Sequence, residues 1–304
     1  MITLVGSGNV ATWMAQRLQG SSRFPVTQVY SRKLENARRL ADLSGAEAID
    51  DIKALNPDNQ IFIFALVDNA YETILPQIPF RLPAAFLTSG TFSCQCLKAY
   101  ADIYGVIYPL QTFTKSQDMS ELEVPLCLEY QESTHPGVET QPPQECGGSY
   151  VGAEPPQECG GSYVGAQPPQ ECGGSYVGAQ PPQECGGSYE QMWSLARELS
   201  PLCYEVSEAQ RTRMHLAAVF ACNFSNAMYH IAYKLLEEKG LPFEMLLPLL
   251  RQTVEKVSKM TPAEAQTGPA ARRDFNVMET HLAELDDEGL REIYRMMSEL
   301  ITNN

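Results

Sequence analysis

No apolar run in the 304-residue chain approaches the length that a membrane helix needs, which excludes the helical membrane-spanning class. No basic and apolar leader precedes the first strand-like run at Ile2, so a cytoplasmic location is expected. Positive charge is scarce: 22 Lys and Arg face 37 Asp and Glu, a formal net charge of -15. That balance argues against nucleic acid and anionic membranes as partners and leaves a small molecule as the expected one. Zinc-type spacing is missing from the nine cysteines. Four of them (Cys146, Cys159, Cys172, Cys185) recur with a tandem repeat, and Cys94, Cys96, Cys127, Cys203 and Cys222 lie in or beside apolar segments. Reduced thiols acting as small hydrophobes are expected, and no metal centre.

What the chain does contain is a glycine turn at its start. Ile2 to Val5 reads as a strand, Val10 to Leu18 has helical apolar spacing, and between them stands Gly6-Ser7-Gly8-Asn9-Val10-Ala11. In such a turn the first glycine permits the tight bend. The second lets backbone approach a pyrophosphate, and the small third residue packs helix on strand. Phosphates would sit at the helix N-terminus, where unpaired N–H groups and the helix dipole favour anions.

Val26 to Tyr30 is a second strand, followed by Ser31 and Arg32. An acidic residue at this point would bind the ribose 2′-OH of NAD, whereas a hydroxyl and a guanidinium suit the 2′-phosphate of NADP. The alternative is that Arg32 is a solvated charge opening a helix. Ile61 to Val67 is a continuous apolar run, as expected of a strand covered on both faces. Ala84 to Gly90 is another, carrying Thr88, Ser89 and Gly90 at its carboxyl end. Alternating strands and helices indicate an α/β fold with a doubly wound, mostly parallel sheet. Ligands of such sheets bind beyond the strands' carboxyl ends, where Gly6, Arg32, Leu66, Val67, Thr88, Ser89 and Gly90 fall.

From Pro142 a 13-residue unit recurs, with copies beginning at Pro142, Pro155, Pro168 and Pro181 and the last stopping at Tyr189. Each full copy holds two Pro and three Gly and little apolar surface to stack, so a flexible insertion at 142–189 is expected within a nucleotide-binding domain of residues 1–206. Residues 207–304 read as an all-helical substrate and dimerisation domain. Ser207 and Gln210 form a capping-box pattern, and neither Pro nor Gly interrupts the chain until Gly240. Along this expected long helix His215, Val219, Asn223 and Asn226 share a stripe. A helix from Pro242 to Met260, kinked at Pro248, follows, and then a loop from Gln266 to Asp274.

Gly6-Ser-Gly-Asn-Val-Ala11, Val29-Tyr-Ser-Arg32, Thr88-Ser-Gly90, Tyr108-Pro-Leu-Gln-Thr-Phe113, Leu216-Ala-Ala-Val-Phe-Ala-Cys-Asn223 and Gln266-Thr-Gly-Pro269 together resemble a family of Rossmann-like NADP oxidoreductases with a C-terminal helical domain of unknown function. That family is similar to the group of pyrroline-5-carboxylate reductase, ketopantoate reductase and 6-phosphogluconate dehydrogenase. The resemblance implies a Rossmann-type sheet followed by a helical domain, NADP as cofactor and a homodimer. Related β-hydroxyacid dehydrogenases carry a Lys one turn before a catalytic Asn, where this chain has Val219.

A hydride transfer needs a group that protonates or polarises the substrate, and His215 is the candidate, since imidazole ordinarily titrates near neutral pH. The alternative is a histidine that merely packs on its helix. Asn223 and Asn226 could bind substrate, as could Gln266, Thr267, Gly268, Pro269 and Arg272; Arg272 could equally pair with a nearby acid. The expected function is hydride transfer between NADP(H) and a small carbonyl, imine or carboxylate-bearing compound. A non-catalytic NADP-binding sensor and a transfer between NADP and a deazaflavin are the alternatives.

Overall fold

A computed structural model describes residues 1–114, 122–133 and 187–303. The chain divides into two compact units, residues 1–222 and 223–304.

The first unit is built on one eight-stranded sheet in the order β3-β2-β1-β4-β5-β6-β7-β8. Its strands are β1 (Ile2–Val5), β2 (Val26–Tyr30), β3 (Glu47–Ile49), β4 (Ile61–Phe64), β5 (Leu82–Leu87), β6 (Ala101–Pro109), β7 (Leu126–Glu132) and β8 (Cys203–Glu205). All neighbours pair in parallel except β6 and β7, which are antiparallel. This is the doubly wound sheet that the alternating pattern predicts, and the order reverses between β1 and β4.

Alternation along the strands supplies a core on each face of the sheet. Ile2, Leu4, Ile61, Ile63, Ala84 and Phe86 belong to one apolar cluster, while Val5, Phe62, Phe64, Ala85 and Leu87 belong to the other. Burial on both faces explains why β4 reads as an unbroken apolar run. Helices α1 (Asn9–Arg17), α2 (Leu34–Ser44), the short α3 (Tyr71–Ile74), α4 (Ser188–Leu199) and α5 (Glu208–Ala218) complete this unit. The boundary expected at Ser207 falls instead after Cys222, because α5 sends Arg211 wholly into the first unit.

Residues 134–186 lie outside the described residues, and with them most of the insertion at 142–189 expected to be flexible. Its last three residues are described and do not behave as an insertion. Gly187, at φ +100°, precedes α4, and Ser188 and Tyr189 form the first turn of that helix. Tyr189 packs edge-on against Tyr130 at 5.1 Å and donates a hydrogen bond to Glu205 (2.8 Å).

The second unit is helical throughout. It holds α6 (Ser225–Glu237), α7 (Leu247–Val257), α8 (Pro262–Ala265), α9 (Phe275–Glu284) and α10 (Glu288–Asn303). The long helix expected from Ser207 is interrupted by a π-helical turn over Val219–Phe224. The expected kink at Pro248 does not arise, because Pro248 stands in the first turn of α7, where its missing N–H is no loss. No helix among the described residues is long and apolar enough to cross a membrane.

Candidate functional site

The glycine turn is shaped by close backbone approach on one side and open space on the other. Gly6 has φ +124°, and a Cβ there would lie 2.2 Å from the Ala65 carbonyl oxygen. Its N–H donates to the Tyr30 carbonyl, and Ala65 N–H donates to the Val5 carbonyl, both at 2.9 Å, so the turn is fastened to both flanking strands. Gly8 is the N-cap of α1 with no capping side chain, and a Cβ added to it would meet nothing within 4 Å. The first N–H groups of α1 are therefore unscreened, and no acidic side chain occupies the helix's first turn. This cradle fits a pyrophosphate. Ser7 Oγ donates to Ser31 Oγ (2.8 Å), tying the turn to the end of β2, and Asn9 Nδ2 donates to the Phe113 carbonyl (2.8 Å). Val10 is half-buried and Ala11 fully buried, the small residue that brings α1 onto the sheet.

The other residues expected at the cofactor edge follow their strands directly. Ser31 is buried and Arg32 exposed after β2, while Leu66 and the 66% exposed Val67 follow β4. After β5 come Thr88, Ser89 and Gly90, all buried. Thr88 N–H donates to the Phe64 carbonyl (3.2 Å), and Ser89 Oγ accepts from the N–H groups of Thr91 (3.2 Å) and Phe92 (2.9 Å).

His215, on α5, joins this edge. Its Nδ1 lies 3.0 Å from the hydroxyl of Tyr108, near the end of β6. A Cβ on Gly90 would stand 2.4 Å from that same Nδ1, so the imidazole occupies the space that a side chain at position 90 would need. One turn earlier on α5, the wholly buried Arg211 pairs with Glu129 of β7 and donates to the carbonyls of Ser89 (2.9 Å) and Phe92 (3.1 Å). A buried guanidinium with this many partners holds α5 against the loop after β5. His215 also lines a cavity of about 690 Å³ with Thr91, Glu208, Ala209, Thr212, Arg213, Leu216 and Val219.

The remaining expected residues belong to the second unit. Asn223 lies in the π-helical turn and Asn226 in α6, both exposed. The π turn replaces i→i+4 bonding over these residues, so the α-helical stripe from His215 is not continuous. Thr267, Gly268 and Pro269 line an apolar cavity of about 400 Å³ whose wall also carries His281, with Nδ1 2.8 Å from the Tyr294 hydroxyl. Gln266 donates to the Thr267 carbonyl (3.0 Å), and Arg272 is exposed. Among the described residues no group of three or more His, Cys, Asp or Glu has the arrangement of a metal site.

A Bacteroides fragilis protein designated an NADP oxidoreductase is 30% identical in sequence and superposes with a TM-score of 0.74, the match covering 100% of this chain and 98% of that one. The chain belongs to that family of Rossmann-like NADP oxidoreductases with a helical C-terminal domain. Two more distant members of the wider fold are a pyrroline-5-carboxylate reductase from Streptococcus pyogenes (14% identity, TM-score 0.56, 100% and 98% covered) and an imine reductase from Myxococcus stipitatus solved with NAD+ (12%, 0.52, 100% and 92%). Residues 187–301 match a family described as a domain of unknown function, DUF2520. No protein of curated function matches the sequence. The DUF2520 match begins at Gly187, where α4 begins to form, so the family pattern includes the residues shared with the last repeat copy.

Sequence reasoning passed over Tyr108 and Arg211. Tyr108 stood inside a motif of the family resemblance, but its partner is 107 positions away in sequence, and spacing carries no trace of the pairing. Arg211 lay on a polar stretch at a helix start, where a solvated cation is the ordinary expectation.

Proposed function

We propose that the protein transfers a hydride between NADP(H) and a small carbonyl, imine or carboxylate-bearing compound, with His215 as the group that donates to the substrate. The observation that carries this reading is the His215 imidazole held against Gly90 at the carboxyl edge of the sheet, beside an open cavity. The dinucleotide would rest on Gly6, Ser7, Gly8, Asn9, Val10 and Ala11, with Ser31 and Arg32 at the adenosine ribose. Leu66, Val67, Thr88, Ser89 and Gly90 would line the course of the nicotinamide half. When bound, the nicotinamide supplies the hydride. His215 meets the charge that develops on the substrate oxygen or nitrogen. Asn223, Asn226, Gln266, Thr267, Gly268, Pro269 and Arg272 are the proposed substrate contacts of the helical unit, and a cytoplasmic homodimer is the proposed working form.

The test is a screen of oxo acids, cyclic imines and a deazaflavin for NADPH oxidation. One substrate class should turn over, and His215→Ala should lower that turnover by about 10²- to 10⁴-fold while leaving NADPH binding intact. Unchanged turnover in the variant removes His215 from the chemistry. A blank screen with a folded, NADPH-binding protein favours a cofactor sensor, and turnover of the deazaflavin alone names that coenzyme as the partner substrate.

A further inference from the structure

The hydrogen bond on the sheet side of His215 determines what the opposite side of the ring can do. A neutral imidazole carries one N–H, and which nitrogen holds it is set by the partner of the other. Here Nδ1 faces the Tyr108 hydroxyl at 3.0 Å, the two rings meeting at 65° with centroids 5.9 Å apart. Both rings rest on the same glycine: a Cβ at Gly90 would lie 2.8 Å from His215 Cγ and 3.0 Å from Tyr108 Cζ. Neither ring has room to turn toward the sheet. Behind them, Arg211 clamps α5 to the carbonyls of Ser89 and Phe92, so backbone as well as side chain fixes the pair.

The phenol keeps its proton at neutral pH. Burial pushes Tyr108 up to about 12, the neighbouring Cys127 adding to this and Arg211 opposing it. The Tyr108 hydroxyl has no other hydrogen-bond partner among the described residues, so donation to Nδ1 is what satisfies its half-buried proton, and the Nδ1 facing it accepts. The ring proton then belongs on Nε2, which has no protein partner among the described residues, on a side chain that lines the cavity.

We propose that Tyr108 is a positioning residue: its hydroxyl selects the Nε2–H form of neutral His215, so that the ring presents a hydrogen-bond donor to a substrate in the cavity. The inference rests on the reading of His215 as the group that meets the substrate. It adds the element that makes a histidine, a donor or an acceptor by default, into a donor. A group polarised in this way is a carbonyl oxygen or an imine nitrogen, either of which accepts a hydrogen bond from Nε2–H.

The tautomer can be read directly by long-range ¹H–¹⁵N correlation on the ¹⁵N-labelled full-length protein, at a pH where the ring is neutral. The chain has four histidines, and His215→Gln assigns the relevant signals. The expected pattern is an acceptor-type Nδ1 and a protonated-type Nε2. Tyr108→Phe, which retains the ring packed on Gly90, should move both signals toward the average of two exchanging tautomers. A protonated-type Nδ1 in the parent protein, or a pattern indifferent to Tyr108→Phe, overturns the proposal. NADPH titration of the same samples separates this from the functional reading: a Tyr108-dependent tautomer in a protein that binds no nicotinamide cofactor overturns the reading alone. Cofactor binding with an indifferent tautomer overturns only the role of Tyr108.

Discussion

Arg32 is the residue on which the proposed choice of NADP turns. It follows the buried Ser31, is exposed, and forms no ion pair among the described residues, so its guanidinium is available to a 2′-phosphate. Hydrogen bonds to a charged group are worth about 1.5–3 kcal/mol. Arg32→Ala should therefore weaken NADPH binding by about 10- to 100-fold and leave NADH binding nearly unchanged, as followed by nucleotide fluorescence titration. Equal affinity of the parent protein for the two nucleotides would sink the argument. The glycine turn is legible in sequence because its requirement is local: a glycine where φ is +124° and a small residue where helix meets strand. The Tyr108–His215 and Glu129–Arg211 pairs are not legible, because tertiary folding alone brings β6 to α5 and β7 to α5.

At the scale of elements, short apolar runs predicted the central strands, since a sheet covered on both faces imposes them. Helix continuity was less legible. Nothing in Val219–Phe224 marks a π turn as Pro or Gly would mark a break, because one extra residue per turn is absorbed without any special residue type. The start of α4 was hidden for a different reason: the repeat unit contains the Gly-Ser-Tyr that forms its first turn, so three upstream copies disguise the last as one more repeat. The two deletions that follow from this differ sharply. Removing residues 142–180, three whole units, leaves the final copy with Gly187 and Tyr189 in place and should preserve the melting temperature. Removing 142–189 takes away the Tyr189 ring, which touches Tyr130 and Trp193, and its bond to Glu205. That should cost about 1–3 kcal/mol, a fall on the order of 5 °C in thermal melts. Equal melting temperatures for the two deletion variants would show that Tyr189 contributes nothing to the start of α4.

The second unit, taken by itself, has almost no interior. Of residues 223–303 only Ala270, Leu285 and Ser298 are buried, while Met245 (63%), Leu249 (61%), Val254 (62%), Phe275 (57%), Met296 (69%) and Leu300 (56%) are exposed. Monomeric proteins rarely leave so much apolar side-chain surface in water, and a small helical unit without a core lacks the main stabilising term of folding. The proposed homodimer would supply that missing interior from an identical set of helices, through an obligate interface that resembles a domain core cut in two and buries about 2,000–5,000 Å². Light scattering behind size exclusion should return twice the chain mass at micromolar concentration. Met245→Glu with Met296→Glu removes two large apolar contacts, each worth about 1.5–3 kcal/mol when buried, and should raise the dissociation constant by 100-fold or more. The near-ultraviolet dichroism of Trp13 and Trp193, both buried in the first unit, reports whether the sheet survives the change. A parent protein that runs as a stable monomer at these concentrations would require the apolar helices to be satisfied in some other way, and the homodimer would be abandoned.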